Sequence, residues 1–188
     1  RNRKVLVTGA GGFIGSHLVE RLVELGADVI GVVRYNSKKQ WGWLSALPLH
    51  VRKRVKVVPC DLANEQPSLG ETVDVVFHLA AIMDTSPEYV TISRVLENNY
   101  LCTLNILEAT VSRSTVFANI SSFEVYEGEN ERGSGETDPW KIRSPYVASK
   151  IISEHLVETY CGSRGLQGIN IRLFSTYGPR ENTRAIIP

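Results

Sequence analysis

The chain has 188 residues, 43% of them hydrophobic and 22% charged, with a formal net charge of +1. That is enough apolar material for one domain with a real core, and the near-neutral charge excludes the basic footprint of a nucleic-acid binder. No apolar run is long enough to span a bilayer, and no signal-peptide pattern stands at the N-terminus, although Arg1 is not an initiator methionine.

In chain order, short β-branched runs alternate with helical patterns. Residues 4–9, 28–33, 54–60, 73–80, 115–121 and 168–174 read as strands, most of them continuously apolar, as parallel strands buried on both faces are. Between the first two, Ile14, Leu18, Leu22 and Leu25 recur at helical spacing and Gly26 supplies the stop. Residues 89–112 and 146–160 also read as helices. This alternation predicts right-handed crossovers and an α/β fold built on a doubly wound parallel sheet, the Rossmann arrangement. The basic run "HVRKRVKV" at 50–57 reads as a solvated strand entrance, and the polar segment 127–144 is the one long loop. Cys60, Cys102 and Cys161 lie far apart with no CxxC pair, which fits a reducing cytosol and gives no metal site.

"VTGAGGFIGSH" sets Gly9, Gly12 and Gly15 between the first strand and the first helix. Glycine suits a tight turn, close approach of backbone to a pyrophosphate, and close packing of helix on strand, while the helix N-terminus offers free N–H groups to phosphates. The stretch predicts a dinucleotide site. NAD sites carry an Asp or Glu at the end of the second strand; here that place holds Val33 or Arg34. Arg34, with Ser37, Lys38 or Lys39, can pair with a 2′-phosphate, so NADP is preferred over NAD. Asp61, ending the third strand, is expected to accept from the adenine amine, with a plain turn aspartate as the alternative.

"SPYVASK" places Tyr146 and Lys150 one helical turn apart on one face. A phenol with a pKa of roughly 10 is a poor base at neutral pH, and an ammonium one turn away is expected to draw it towards working range. Ser122, at the end of the preceding strand, can bond the same substrate hydroxyl.

TGxxGxxG at 8–15, HLAA at 78–81, Asn99 before "YLCT", the serines at 121–122, YxxxK at 146–150 and YGPR at 177–180 together resemble the extended short-chain dehydrogenase/reductases. Within them the set is similar to the nucleotide-sugar epimerase/dehydratase branch. The resemblance covers essentially the whole chain. It implies a cofactor domain over 1–174 and the start of a substrate-binding region over 175–188, with most of the smaller C-terminal substrate domain lying beyond Pro188; the cofactor-binding half alone would be nearly inactive. It implies cofactor contacts from Phe13 and Ile14 in the glycine loop, from Leu62 beside Asp61, from Leu79, Ala80 and Ala81, and from Asn99, and substrate contacts from Ser175 and Arg180. Tyr146 would take the proton from the 4-hydroxyl of a nucleoside-diphosphate sugar while hydride leaves carbon 4. Lys150 would tune Tyr146 and bind the nicotinamide ribose. A homodimer through a four-helix bundle of the helices near 89–112 and 146–160 is implied as well.

Dehydratase and decarboxylase members place a Glu two residues after the catalytic Ser or Thr, which maps onto Glu124. In a dehydratase it removes the carbon-5 proton, while an Asp just before it commonly protonates the departing 6-hydroxyl. Here that neighbour is Phe123. Cys102 replaces the usual glycine of NxxGT, and Ser175 the usual substrate-contacting Asn. The loop 35–47, with Trp41 and Trp43, resembles that of bacterial UDP-N-acetylglucosamine 4,6-dehydratases of the legionaminic-acid type, as does the end "YGPRENTRAIIP". Packing under a loop is the plain alternative for the two tryptophans. The expectation is a dehydratase-like enzyme. A 4-epimerase, a reductase that releases its cofactor each cycle, and a catalytically silent NADP-binding protein stand as alternatives.

Overall fold

The computed structural model describes residues 3–35, 40–83, 91–112, 114–126 and 133–181. Six strands form one sheet: β1 (Lys4–Thr8), β2 (Asp28–Val33), β3 (Val55–Pro59), β4 (Val75–His78), β5 (Val116–Ser122) and β6 (Gln167–Leu173). Their order is β3-β2-β1-β4-β5-β6 and every pairing is parallel. The order reverses between β1 and β4, and the crevice outside the carboxyl ends of strands at such a switch point is where this architecture binds ligands.

Helices cover both faces, as a parallel sheet requires. α1 (Phe13–Glu24) follows β1, the four-residue α2 (Leu49–Arg52) precedes β3, and α3 (Ile92–Thr110) and α4 (Pro145–Arg164) are the long ones. Alternate side chains of one strand feed opposite cores. Val5 and Val7 join Val19 and Val23 of α1, whereas Leu6 joins Ile106 and Leu107 of α3 and Val157 of α4. The expected elements agree closely with these. The basic run at 50–57 is the exception: α2 occupies its first half, with Arg54 donating to the Val23 carbonyl at 2.9 Å. The long helix expected from residue 89 begins at Ile92, where the Thr91 hydroxyl accepts from the Arg94 N–H at 3.3 Å. Cys102 sits in the core, so the thiol fills packing space.

Two features aim the site. The Ser144 hydroxyl accepts from the Val147 N–H at 3.1 Å with Pro145 at the first helical position, so α4 starts sharply and presents Tyr146 in its first turn. Below the crevice, the buried His78 bonds Thr8 Oγ1 through Nδ1 at 2.8 Å and Thr103 Oγ1 through Nε2 at 3.1 Å. Thr8 Oγ1 also accepts from the N–H groups of Leu79 and Ala80, both at 3.1 Å, which orients the loop leaving β4.

Candidate active site

A cleft of about 750 Å³ opens at the carboxyl ends of β1, β2, β4 and β5. Its floor is the glycine loop. Gly9, Gly12, Phe13, Ile14 and Gly15 all border it, at the N-terminus of α1. A side chain at Gly15 would put its Cβ 2.2 Å from the Gly9 carbonyl oxygen, so only glycine lets the helix sit this close to the turn. A second backbone seam closes over the same loop. The Trp43 N–H donates to the Gly11 carbonyl at 2.9 Å, and a Cβ on Gly42, at φ +57, would lie 2.4 Å from that oxygen. The 3₁₀ turn Gly42–Ala46 is thereby held on the glycine loop, and Trp41 borders the cleft while packing against the α1-side core.

Leu79, Ala80 and Ala81 form one wall. Arg34 stands exposed at the rim after β2, its Nη2 3.4 Å from Asn98 Oδ1; Ser37, Lys38 and Lys39 lie outside the described residues. Ser122, Glu124, Tyr146 and Lys150 converge at the far end, and Ser175 also lines the cleft.

Four expected site residues are placed elsewhere. Asn99 is buried between α3 and α4, bonding the Ile82 N–H at 2.7 Å and Ser149 Oγ at 2.9 Å, so it braces the loop after β4 from behind. Leu62 is core. The Asp61 carboxylate accepts from Asn64 Nδ2 at 2.9 Å and the Ala63 N–H at 3.4 Å, outside the residues that line the cleft. Arg180 pairs with Glu20 of α1 at 2.6 Å and borders an adjoining hollow beside Gly11 and Trp43. In each case satisfied local bonds or core packing take the side chain, which motif spacing cannot reveal.

The electrostatics depart from expectation in one respect. Ser122 hydrogen-bonds Tyr146 and favours its phenolate, yet burial and the nearby Glu124 charge outweigh this, and the phenol stands above its ordinary value. Lys150 stands beside it. Its Nζ lies 5.6 Å from the Tyr146 ring centroid and donates to the Ile120 carbonyl at 2.7 Å. Burial pushes the lysine itself down to about 8, against the opposing charge of Glu154. The result is a buried phenol held by a serine, beside an amine that titrates near working pH. Glu124 is exposed at the mouth in the 3₁₀ turn Phe123–Val125, where its N–H donates to Ser122 Oγ at 3.3 Å. Phe123 stacks on Phe174 at 5.1 Å and so serves as an apolar wall. Among the described residues no group of His, Cys, Asp or Glu could hold a metal ion, and no helix is long and apolar enough to cross a membrane.

Ile120 holds Lys150, Gly42 seats against Gly11 and Arg172 pairs with Glu154, contacts that motif reading did not single out. The available signals were a charge inside the apolar run "INIRLF" and a glutamate four residues after Lys150.

Comparison with known proteins agrees with this geometry. The model of the NAD dependent epimerase/dehydratase family matches residues 5–188. The UDP-N-acetyl-alpha-D-glucosaminuronate decarboxylase of Bacillus cytotoxicus is 33% identical, over 95% of this chain and 56% of its own length. The dTDP-glucose 4,6-dehydratase of Neisseria meningitidis is 31% identical, over 99% and 57%. Among solved structures, UDP-glucuronic acid 4-epimerase from Bacillus cereus in complex with NAD superposes with a TM-score of 0.79 at 31% identity, covering 95% of this chain and 58% of that one. The chain thus spans a little over half the length of the relatives it matches. It belongs to the NAD dependent epimerase/dehydratase family, the nucleotide-sugar branch of the extended short-chain dehydrogenase/reductases.

Proposed function

We propose that the full-length protein is a nucleotide-sugar 4,6-dehydratase-like enzyme that oxidises sugar carbon 4 and recycles the hydride internally. The observation that carries the reading is the convergence of Ser122, Glu124, Tyr146 and Lys150 at one end of a cleft whose other end is the glycine loop. The cleft fits a dinucleotide: the glycines between β1 and α1 put no side chain into it, and its volume is of the size that encloses such ligands. When bound, the nicotinamide supplies the hydride acceptor. Tyr146, held by Ser122, takes the proton of the 4-hydroxyl as its phenolate; the Lys150 charge beside the ring favours that form, and Lys150 binds the ribose. Glu124, at the open mouth, takes the carbon-5 proton once carbon 4 is a ketone. Phe123 supplies no proton, so Glu124 or water protonates the leaving hydroxyl.

Ser175 is proposed to face the sugar nucleotide. A homodimer is proposed through α3 and α4, which leave Ile92, Tyr100 and Ile152 exposed. A 4-epimerase is the second reading, favoured by the apolar wall of Phe123 and Phe174 where a proton donor would stand. Heavy water separates the two. With UDP-N-acetylglucosamine and related sugars, the dehydratase reading expects deuterium at carbon 5 with loss of water. Inversion at carbon 4 without label contradicts it and establishes the epimerase.

NADP is the proposed cofactor because a cation and no carboxylate follows β2. NAD is the second reading, favoured by the structural relative solved with NAD. In Arg34→Ala the NADP-to-NAD affinity ratio is expected to fall about tenfold, the worth of one charge-assisted hydrogen bond. An unchanged ratio in isothermal titration removes the phosphate role.

A further inference from the structure

Behind the catalytic helix lies a charged cluster that the proposed chemistry does not use directly. Glu154, one turn beyond Lys150 on the same face of α4, has its carboxylate almost wholly buried, with side-chain exposure of 1%. Both its oxygens are held by Arg172 of β6: Nε lies 3.0 Å from Oε1 and Nη2 lies 2.8 Å from Oε2. The remaining guanidinium nitrogen, Nη1, donates to the Glu136 carbonyl at 3.1 Å. The flat faces of the same group lie against two rings, with Cζ 4.9 Å from the Tyr126 centroid and 5.4 Å from that of Trp140. Tyr126 ends the strand-to-turn stretch that carries Ser122 and Glu124, and it bridges to Trp140 in antiparallel fashion. The Lys141 N–H closes the bridge onto the Val125 carbonyl at 3.0 Å.

The geometry points to Arg172 as a positioning residue for the tyrosine–lysine pair: it neutralises Glu154, one turn from Lys150, and with the same guanidinium fixes the turn that presents Glu124. This rests on the proposed chemistry for its purpose but not for its test. A buried carboxylate left unpaired would hold Lys150 fully charged, because an opposite charge close by favours the ionised amine. Committed to the fork of Arg172, Glu154 offsets the desolvation of Lys150 only in part. Among the described residues, Tyr126 bonds the Arg172 guanidinium, and the other groups facing the cluster surround the tyrosine–lysine pair. Tyr146 lies on the same helix, Glu124 acts on Tyr146 from the 3₁₀ turn, and the neutral His78 of β4 feels the Lys150 charge. Next to the cluster α3 meets the same helix through Asn99 on Ser149 and Thr103 on Ser153, its Glu108 bonding Tyr160 farther along α4, and β5 adds the uncharged Ser122. Arg172 is thus the counter-charge that decides how much of Glu154 reaches Lys150.

The test is an NMR titration of Lys150 in the full-length protein labelled at lysine Cε, with no sugar added, the signal being assigned by its loss in Lys150→Met. Glu154→Gln is expected to move the Lys150 midpoint down and Arg172→Met to move it up, each by roughly one pH unit. Arg172→Lys, which keeps the charge but loses the fork, should leave it near the parent value. Opposite signs are the signature, since general loosening would move both variants the same way, towards an ordinary lysine. If Arg172→Met does not fold, Glu154→Gln decides alone: an unmoved or raised midpoint there overturns the inference. Failure of the protein to convert any nucleotide sugar would refute the proposed chemistry while leaving this titration result standing.

Discussion

Tyr146→Phe in the full-length protein is expected to lower turnover of a nucleotide sugar by about 10²–10⁴-fold, the usual worth of a positioned acid–base group. The ring stays in its cluster with Val95, Val125, Val147 and Ile151, so the fold and the cofactor cleft are retained and only the hydroxyl is lost. Cofactor affinity, measured by fluorescence titration, should change little. The effect should be large because Tyr146, bonded by Ser122, is the group that takes the 4-hydroxyl proton, and phenylalanine keeps the ring but supplies no base. Ser122→Ala, which removes one partner of that hydroxyl, should cost less. Equal turnover with and without the Tyr146 hydroxyl would make the mechanism wrong.

The second large effect concerns stability in acid. His78 is fully buried and burial drives its pKa down to about 3, with the charge of Lys150 acting in the same direction. Its bonds fix the tautomer. Thr8 Oγ1 already accepts two N–H groups, so its single proton goes to His78 Nδ1, and the ring proton sits on Nε2, directed at Thr103. The folded protein therefore refuses a proton that the unfolded chain takes up at about pH 6.5. Stability from this group is complete above pH 6.5 and is lost as pH falls from there towards 3, by up to several kcal/mol. Urea unfolding across that window should show a steep acid loss. His78→Asn, whose Oδ1 can still accept from Thr8, should be less stable at pH 7 by about 2 kcal/mol but lose less on acidification. Parallel stability curves for the two proteins would refute the assignment.

Much of this architecture was legible in the amino-acid sequence, for physical reasons. Continuously apolar runs such as "KVLVTG" leave few options besides parallel strands buried on two faces, and all six expected strands are present to within two residues at either end. The glycine loop was legible because a tight turn admits few residue types. Tyr146 and Lys150 were legible because helical spacing alone puts them on one face. What escaped depends on contacts between segments distant in the sequence. Asn99 carries a motif position, yet its amide is spent on Ile82 and Ser149; nothing local distinguishes that from a cofactor contact. Asp61 reads equally well as a ligand or a turn residue, and the bond from the Asn64 amide three positions on is a contact that spacing does not show. The rise of the Tyr146 phenol was not legible, because helical spacing shows Lys150 nearby but not the burial and the Glu124 charge that push it up. The Glu154–Arg172 pair joins α4 to β6, and its meaning emerges only when the two elements are packed.

Both the dehydratase and epimerase readings share one claim, that hydride taken from the sugar is returned to it within the same turnover. The direct measurement is product formed per cofactor, using full-length protein, excess UDP-N-acetylglucosamine and a substoichiometric amount of oxidised NADP or NAD, with absorbance of the reduced form followed throughout. The account predicts many product molecules per cofactor and no steady accumulation of reduced nicotinamide. One cofactor converted for each product formed would contradict it.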